Sequence, residues 1–214
     1  MPPQFDADHS AKESYWRRSA LSRLVGVGPD EVERVVQHGA QLTDDPVKRR
    51  ELCEGLFNIA AKTGVACFTK TATDMLLWSY YANGHNGIAV ELNWSIETIE
   101  MLARQLLIFE VKYRSDFPSV NFYTNTKGEL IHSLLSTKAL AWSHEQEWRV
   151  VLADGPQLIH LPAPMITAVV LGMRLDSHSE ELVRGWVQQR SGPPVRLLRA
   201  NHVQGGFDIE LTDA

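Results

Sequence analysis

The stretch from Ser136 to Val151 carries more reactive side chains than any other, reading STKALAWSHEQEWRVV. Glu145 and Glu147 stand two apart at what reads as the entrance of a strand over 147–153. Side chains two apart on a strand share a face, so both carboxylates are expected on one side together with Arg149. Lys138 and Trp142, four apart, read as the end of a helix that runs into this loop. Two close carboxylates beside an Arg and a Lys hold their protons with separated affinities. Such pairs perform acid/base chemistry or stabilise a developing cation. The same residues also fit a structural role, a partly buried ion pair of Glu147 with Arg149 or Lys138.

A second constellation lies at 74–92, where Trp78, Tyr81 and His85 recur at i, i+3 and i+7. On one helix face they would form an aromatic wall for a planar ligand, with His85 or Asn86 at its mouth. The structural alternative puts Trp78 in the core and makes His85-Asn86-Gly87 a turn. Asp74 and Glu91, with Glu145 and Glu147, are the acids that a Mg²⁺-dependent nuclease or other hydrolase would need, but their spacing carries no signature. The eight histidines include no helical i, i+4 pair with a Glu, and His144-Glu145 opens a zinc-protease-like string that is not completed. No metal site is therefore predicted. Gly26-Val27-Gly28 precedes a helix but follows no strand, and Pro29 removes a donor, so it reads as an interhelical turn.

Helix signals fill the first third of the chain. They run from Ser10 to Val25, then from Pro29 to a stop at Gly39, then from an Asp44 or Asp45 cap and Pro46 to a stop at Gly64. Val65–Thr69 reads as a strand, and Thr73 as the cap of a helix through Tyr81. Ile88–Leu92 is a strand, Ser95 caps a helix through Leu102, and a strand follows from Leu107 to Tyr113. Beyond it come a helix at Glu129–Leu140, a strand at Glu147–Ala153 with a hairpin partner at Leu158–Leu161, and a nearly continuous apolar strand at Ile166–Leu171. A helix at Ser179–Gln189 and strands at Val195–Arg199 and Phe207–Leu211 complete the chain. Strands and helices do not alternate regularly, so the expected class is α+β: a helical N-terminal third followed by a mixed or antiparallel sheet of about six to seven strands with flanking helices.

The chain's 214 residues, set against a prior of about 150 per domain, point to a single domain over 1–214 with a helical segment at 1–64 and a sheet-rich part at 65–214. Apolar residues at 44% and charged residues at 22% exclude disordered and fibrous classes. The formal charge of −5 gives no basic stripe, which argues against general nucleic-acid binding. No apolar run approaches the ~20 residues of a membrane helix, and the N-terminus shows no secretory signal. Cys53 and Cys67 are too few for a disulfide framework and sit in apolar surroundings, so both are expected to be buried free thiols in a cytoplasmic protein.

These blocks together resemble a known family. The run from Leu77 through Trp78-Ser79, Tyr81-Ala82, His85 and Gly87 to Glu91 is similar to the domain-of-unknown-function 2971 family of bacterial proteins. So are Val111-Lys112-Tyr113, the Lys138, Trp142, Glu145, Glu147-Trp148-Arg149 block, and Ile166 to Gly172; the resemblance spans about 65–211. Family members begin with a strand, a helix and an Asn-Asp-Pro-Phe block, whereas this chain opens near Pro3-Gln4-Phe5-Asp6. A first strand is therefore expected to be missing, leaving a sheet edge open. The family pattern is in turn similar to ADP-ribosyltransferase folds, in which a Glu at a strand start stabilises an oxocarbenium-like transition state. On that resemblance Glu147 is the catalytic carboxylate and Glu145 positions an acceptor or water. Trp78, Tyr81 and His85 line the pocket, and Lys138 and Arg149 bind phosphate or hold the carboxylates. NAD would be the substrate, with no tightly bound cofactor. The rival expectation is a non-catalytic ligand- or partner-binding domain of a bacterial conflict or phage-defence system. Its partners would be a small nucleotide, a protein or a second copy of the chain.

Overall fold

A computed structural model describes residues 9–23, 28–102, 106–118, 121–123, 125, 127–152 and 154–214. The Pro3–Asp6 block and the Gly26-Val27 pair lie outside these residues. The class is α+β, with seven α-helices and nine strands in three sheets among the described residues. The chain divides into two compact units. The first comprises Met1–Val65, Phe109–Ser143 and Ala153–Pro156, and the second Ala66–Ile108, His144–Leu152 and Gln157–Ala214.

The first unit is built on helices α1 (His9–Arg23), α2 (Pro29–Asp44) and α3 (Pro46–Ala61), joined by a later helix, Lys127–Ser136, which is α6 in chain order. Pro46 opens α3 where its missing N–H costs nothing, and the Asp45 carboxylate accepts from Val47 N at 2.8 Å. Gly39 does not end α2; the helix continues to Asp44, because a buried Gly costs it only ~1 kcal/mol and tertiary packing offsets that. Cys53 and Leu56 on α3 and Leu130 on α6 bury against Phe122 and Tyr123, with Tyr15 and Trp16 from α1 packed alongside. The rings of Tyr15 and Tyr123 meet edge-to-face with centroids 5.8 Å apart. Two short parallel strands, β4 (Lys112–Arg114) and β5 (Thr137–Ala139), pair with Tyr113 opposite Lys138. The helix expected through Leu140 thus stops at Ser136 and gives way to β5.

The second unit carries a four-stranded sheet of β2 (Ile88–Leu92), β7 (Ile166–Leu171), β8 (Arg196–His202) and β9 (Ile209–Asp213), in that spatial order. β2 is antiparallel to β7, β7 parallel to β8, and β8 antiparallel to β9. A parallel pair needs a crossover, which α7 (Ser177–Gln189) supplies. Ala168 and Val170 of β7 bury with Leu198, Ala200 and Ile209 against Trp78 of α4 (Met75–Tyr81), while Val169 and Leu171 face Val183 of α7. Cover on both faces explains why β7 reads as an unbroken apolar run instead of an alternating one. A three-stranded sheet runs in the order β1 (Gly64–Thr69), β6 (Glu147–Leu152), β3 (Leu107–Glu110). β6 therefore pairs with β1 and β3 and not with 158–161, which form no strand. α5 (Ile96–Met101) starts at its Ser95 cap as expected.

Candidate functional site

The carboxylate pair is set by one strained residue. A 3-10 turn at Leu140–Glu145 delivers the chain to β6, and Gln146 between them adopts φ +45°. A left-handed conformation is costly for a residue with a Cβ and persists only where its surroundings hold it. Here the end of β1 does so: Thr69 Oγ1 donates to Glu145 O at 2.7 Å, and the Lys70 N–H donates to Gln146 O at 3.3 Å. With Gln146 turned outward, the Glu145 and Glu147 side chains are both taken inward, each residue only 4% exposed.

The two acids have different partners. Arg149 Nε donates to Glu147 Oε1 at 2.7 Å and Nη2 to Oε2 at 3.2 Å, a two-point clamp between neighbours on one strand face. Glu145 Oε1 accepts from the Tyr81 hydroxyl at 3.2 Å. Tyr81 itself is largely exposed, at 71%, so its ring stands in solvent while its hydroxyl reaches a buried carboxylate. Lys70 places its ammonium 5.2 Å from the Trp148 ring centroid. The Trp148 indole N–H is buried without an acceptor among the described residues.

Cys67 departs from its expected role. Cys53 is buried, but Cys67 is an exposed residue of β1. Its thiol end is nonetheless crowded beside the Glu147–Arg149 pair. Burial of the sulfur, and then the Glu147 carboxylate, push its pKa up to about 11. A lone cysteine in an apolar string gave no hint of this carboxylate neighbour.

The aromatic constellation separates into two parts. α4 ends at Tyr81, one turn short of His85, and Asp74, not Thr73, is its cap, accepting from Leu76 N and Leu77 N at 2.8 and 3.0 Å. Asn83, Gly84 and His85 follow with φ of 48°, 62° and 72°, a run of left-handed residues that no continuing helix permits. Trp78 is core, 3% exposed, with its indole N–H donating to Ala72 O at 2.7 Å. The His85 ring stacks on Trp78 at 6.4 Å and 10°, with Nε2 3.2 Å from Ser79 Oγ. Thus Trp78 and His85 stand together, while Tyr81 joins Glu145. Lys138 and Trp142 lie in the first unit, where the Lys138 ammonium sits 5.2 Å over the Trp142 ring.

The acids considered for a divalent cation are used otherwise. Asp74 caps α4, and Glu91 accepts from Arg196 at 2.9 Å as well as from the Thr167 hydroxyl. Among the described residues no three His, Cys, Asp or Glu side chains gather as a metal set, and no helix is long and apolar enough to cross a membrane.

Comparison with known proteins bears on one segment. Residues 77–150 match the family described as protein of unknown function (DUF2971). This segment is similar to that family. It covers about a third of the chain and runs from α4 to β6, so Trp78, Tyr81, His85, Lys138, Glu145, Glu147 and Arg149 all fall within the DUF2971 match. No curated protein and no solved structure matches the chain.

Proposed function

We propose that this chain is a non-catalytic ligand- or partner-binding domain, in which Glu145, Glu147 and Arg149 form a buried polar support for the surface around Tyr81. The observation that carries this reading is the two-point clamp of Arg149 on a Glu147 that is 4% exposed. A carboxylate that stabilises a sugar cation has to present its charge to the reacting carbon. Glu147 has both oxygens committed to a guanidinium, and the adjacent positive charge offsets the field it would exert on a substrate. Releasing it would break a buried, hydrogen-bonded ion pair, which costs about 3–5 kcal/mol. The Tyr81 contact fits the same role. A buried acceptor fixes the hydroxyl while the ring stays exposed, and an amphipathic aromatic held this way is a common element of binding surfaces.

The test compares the chain with its Glu147→Gln variant in two measurements, nicotinamide release from NAD and thermal unfolding. The expected result is no release from either protein, with a midpoint lowered by several degrees in the variant. Release of nicotinamide by the parent chain that Glu147→Gln abolishes while its midpoint stays unchanged would overturn this reading and restore an NAD-consuming enzyme.

A further inference from the structure

Basic groups converge at the edge of the four-stranded sheet where its two parallel strands end. β7 and β8 are in register through Leu171 and Arg199. Arg174 and His202 each lie three residues beyond that pair, Arg174 in the turn that follows β7 and His202 at the last position of β8, opposite Ile209 of β9. In sheets with parallel strands and a helical crossover, ligands bind outside the carboxyl ends of those strands. The turn at 83–87 is anchored to the same edge. Arg174 N donates to His85 O at 3.0 Å and Gly172 N to Gly87 O at 3.0 Å. Close backbone approach is built in, since a Cβ at Gly172 would run into the carbonyl oxygens of both His85 and Gly87.

The Arg174 charge is uncompensated among the described residues. In the second unit Arg149, Arg184, Arg196 and Arg199 each hold a carboxylate, and Arg190 donates to the carbonyls of Ala163 and Pro193. The exposed Arg174 guanidinium has no such partner among the described residues. The nearest acid along the chain, Asp176, is occupied by the Ser179 N–H and hydroxyl at the start of α7. Behind the edge, His85 is 8% exposed, and its Nδ1 is buried without a partner. Burial, followed by the charges of Arg174 and then His202, holds its pKa below the usual imidazole range. The complement of this arrangement is a compact, multiply charged anion with several acceptor oxygens.

We propose that the strand edge formed by Arg174 and His202 is a phosphate-binding site, with the Ser79–His85 pair as its positioning support. The proposal is independent of the role of Glu147, because it uses none of the Glu145–Arg149 residues. The group bound is a phosphate, either free or carried on a nucleotide.

The experiment follows the imidazole resonances of His85 and His202 in the full chain by NMR. Inorganic phosphate is titrated in one arm and adenosine monophosphate in another, against sodium chloride at matched ionic strength. Expected are saturable shifts with phosphate, a rise in the His85 pKa as the anion offsets the neighbouring charges, and binding weakened about tenfold in Arg174→Gln, in line with loss of a charge-assisted hydrogen bond. Tighter binding of the monophosphate assigns the site to a nucleotide, and equal binding assigns it to the phosphate group alone. Because Arg174 is exposed, the variant should fold; His202→Gln provides a second, independent loss of affinity. Shifts that merely follow sodium chloride, or affinity unchanged in both variants, would overturn the proposal.

Discussion

The Glu147–Arg149 clamp makes one substitution more damaging than its reverse. Arg149→Leu removes the guanidinium that clamps a carboxylate 4% exposed, and the expected loss is about 3–5 kcal/mol. Glu147→Gln keeps a hydrogen-bond acceptor of the same shape, so a loss of about 1–3 kcal/mol is expected. Denaturant titration of both variants checks the order, and equal effects would contradict a buried pair. Cys67 reports on the same cluster. Its pKa of about 11 places most of its thiolate formation well above pH 9, so native alkylation by iodoacetamide should accelerate only toward pH 11. Glu147→Gln should move that profile to lower pH, as measured by peptide mass mapping. The sign for stability follows. The unfolded chain loses this proton first, so any contribution from the shift is complete below the unfolded pKa and is lost as pH rises toward 11.

At the level of elements, a single methyl group at Gly172 should disturb the junction between β7 and the 83–87 turn. Gly172→Ala meets backbone, not a movable side chain, and a loss of at least ~2 kcal/mol is expected by thermal unfolding, against a few tenths for a tolerated surface change. Asp45→Ala should cost about 1 kcal/mol by removing the acceptor for Val47 N. These elements also mark what could be read from residue types alone. Caps, prolines and periodicity located α3, α5, β2 and β7 to within a residue or two, since those signals are local. The α4 cap moved by one residue because Thr73 and Asp74 are both competent caps. The loss of a 158–161 strand and the division of 107–113 at Val111 reflect tertiary partners, with β6 taken by β1 and β3 and Val111 buried between two strands. At the candidate site, the shared face of Glu147 and Arg149 was legible from period two. The contacts from Tyr81 and Cys67 were not, because both span more than sixty positions of chain.

On the scale of the molecule, each unit has its own apolar core: Cys53, Leu56 and Leu130 with the Phe122-Tyr123 pair in one, and Trp78, Ala168, Val170 and Leu198 in the other. Leu56→Ala should therefore cost about 2–5 kcal/mol, and hydrogen exchange should show the loosening first in α3 and α6, with β7 amides still protected. Uniform loss of protection across both cores would mean that they open as one.

The two units are threaded through one another in sequence, the chain passing between them five times. A growing polypeptide therefore cannot complete either one from a single run of chain: the first awaits residues 153–156, and the second awaits β8 and β9. The DUF2971 segment, cut out alone, would hold β2 without β7 and β6 without β1. Ribosome-bound intermediates should expose apolar surface until β9 has been made, making the nascent chain a natural client for chaperones.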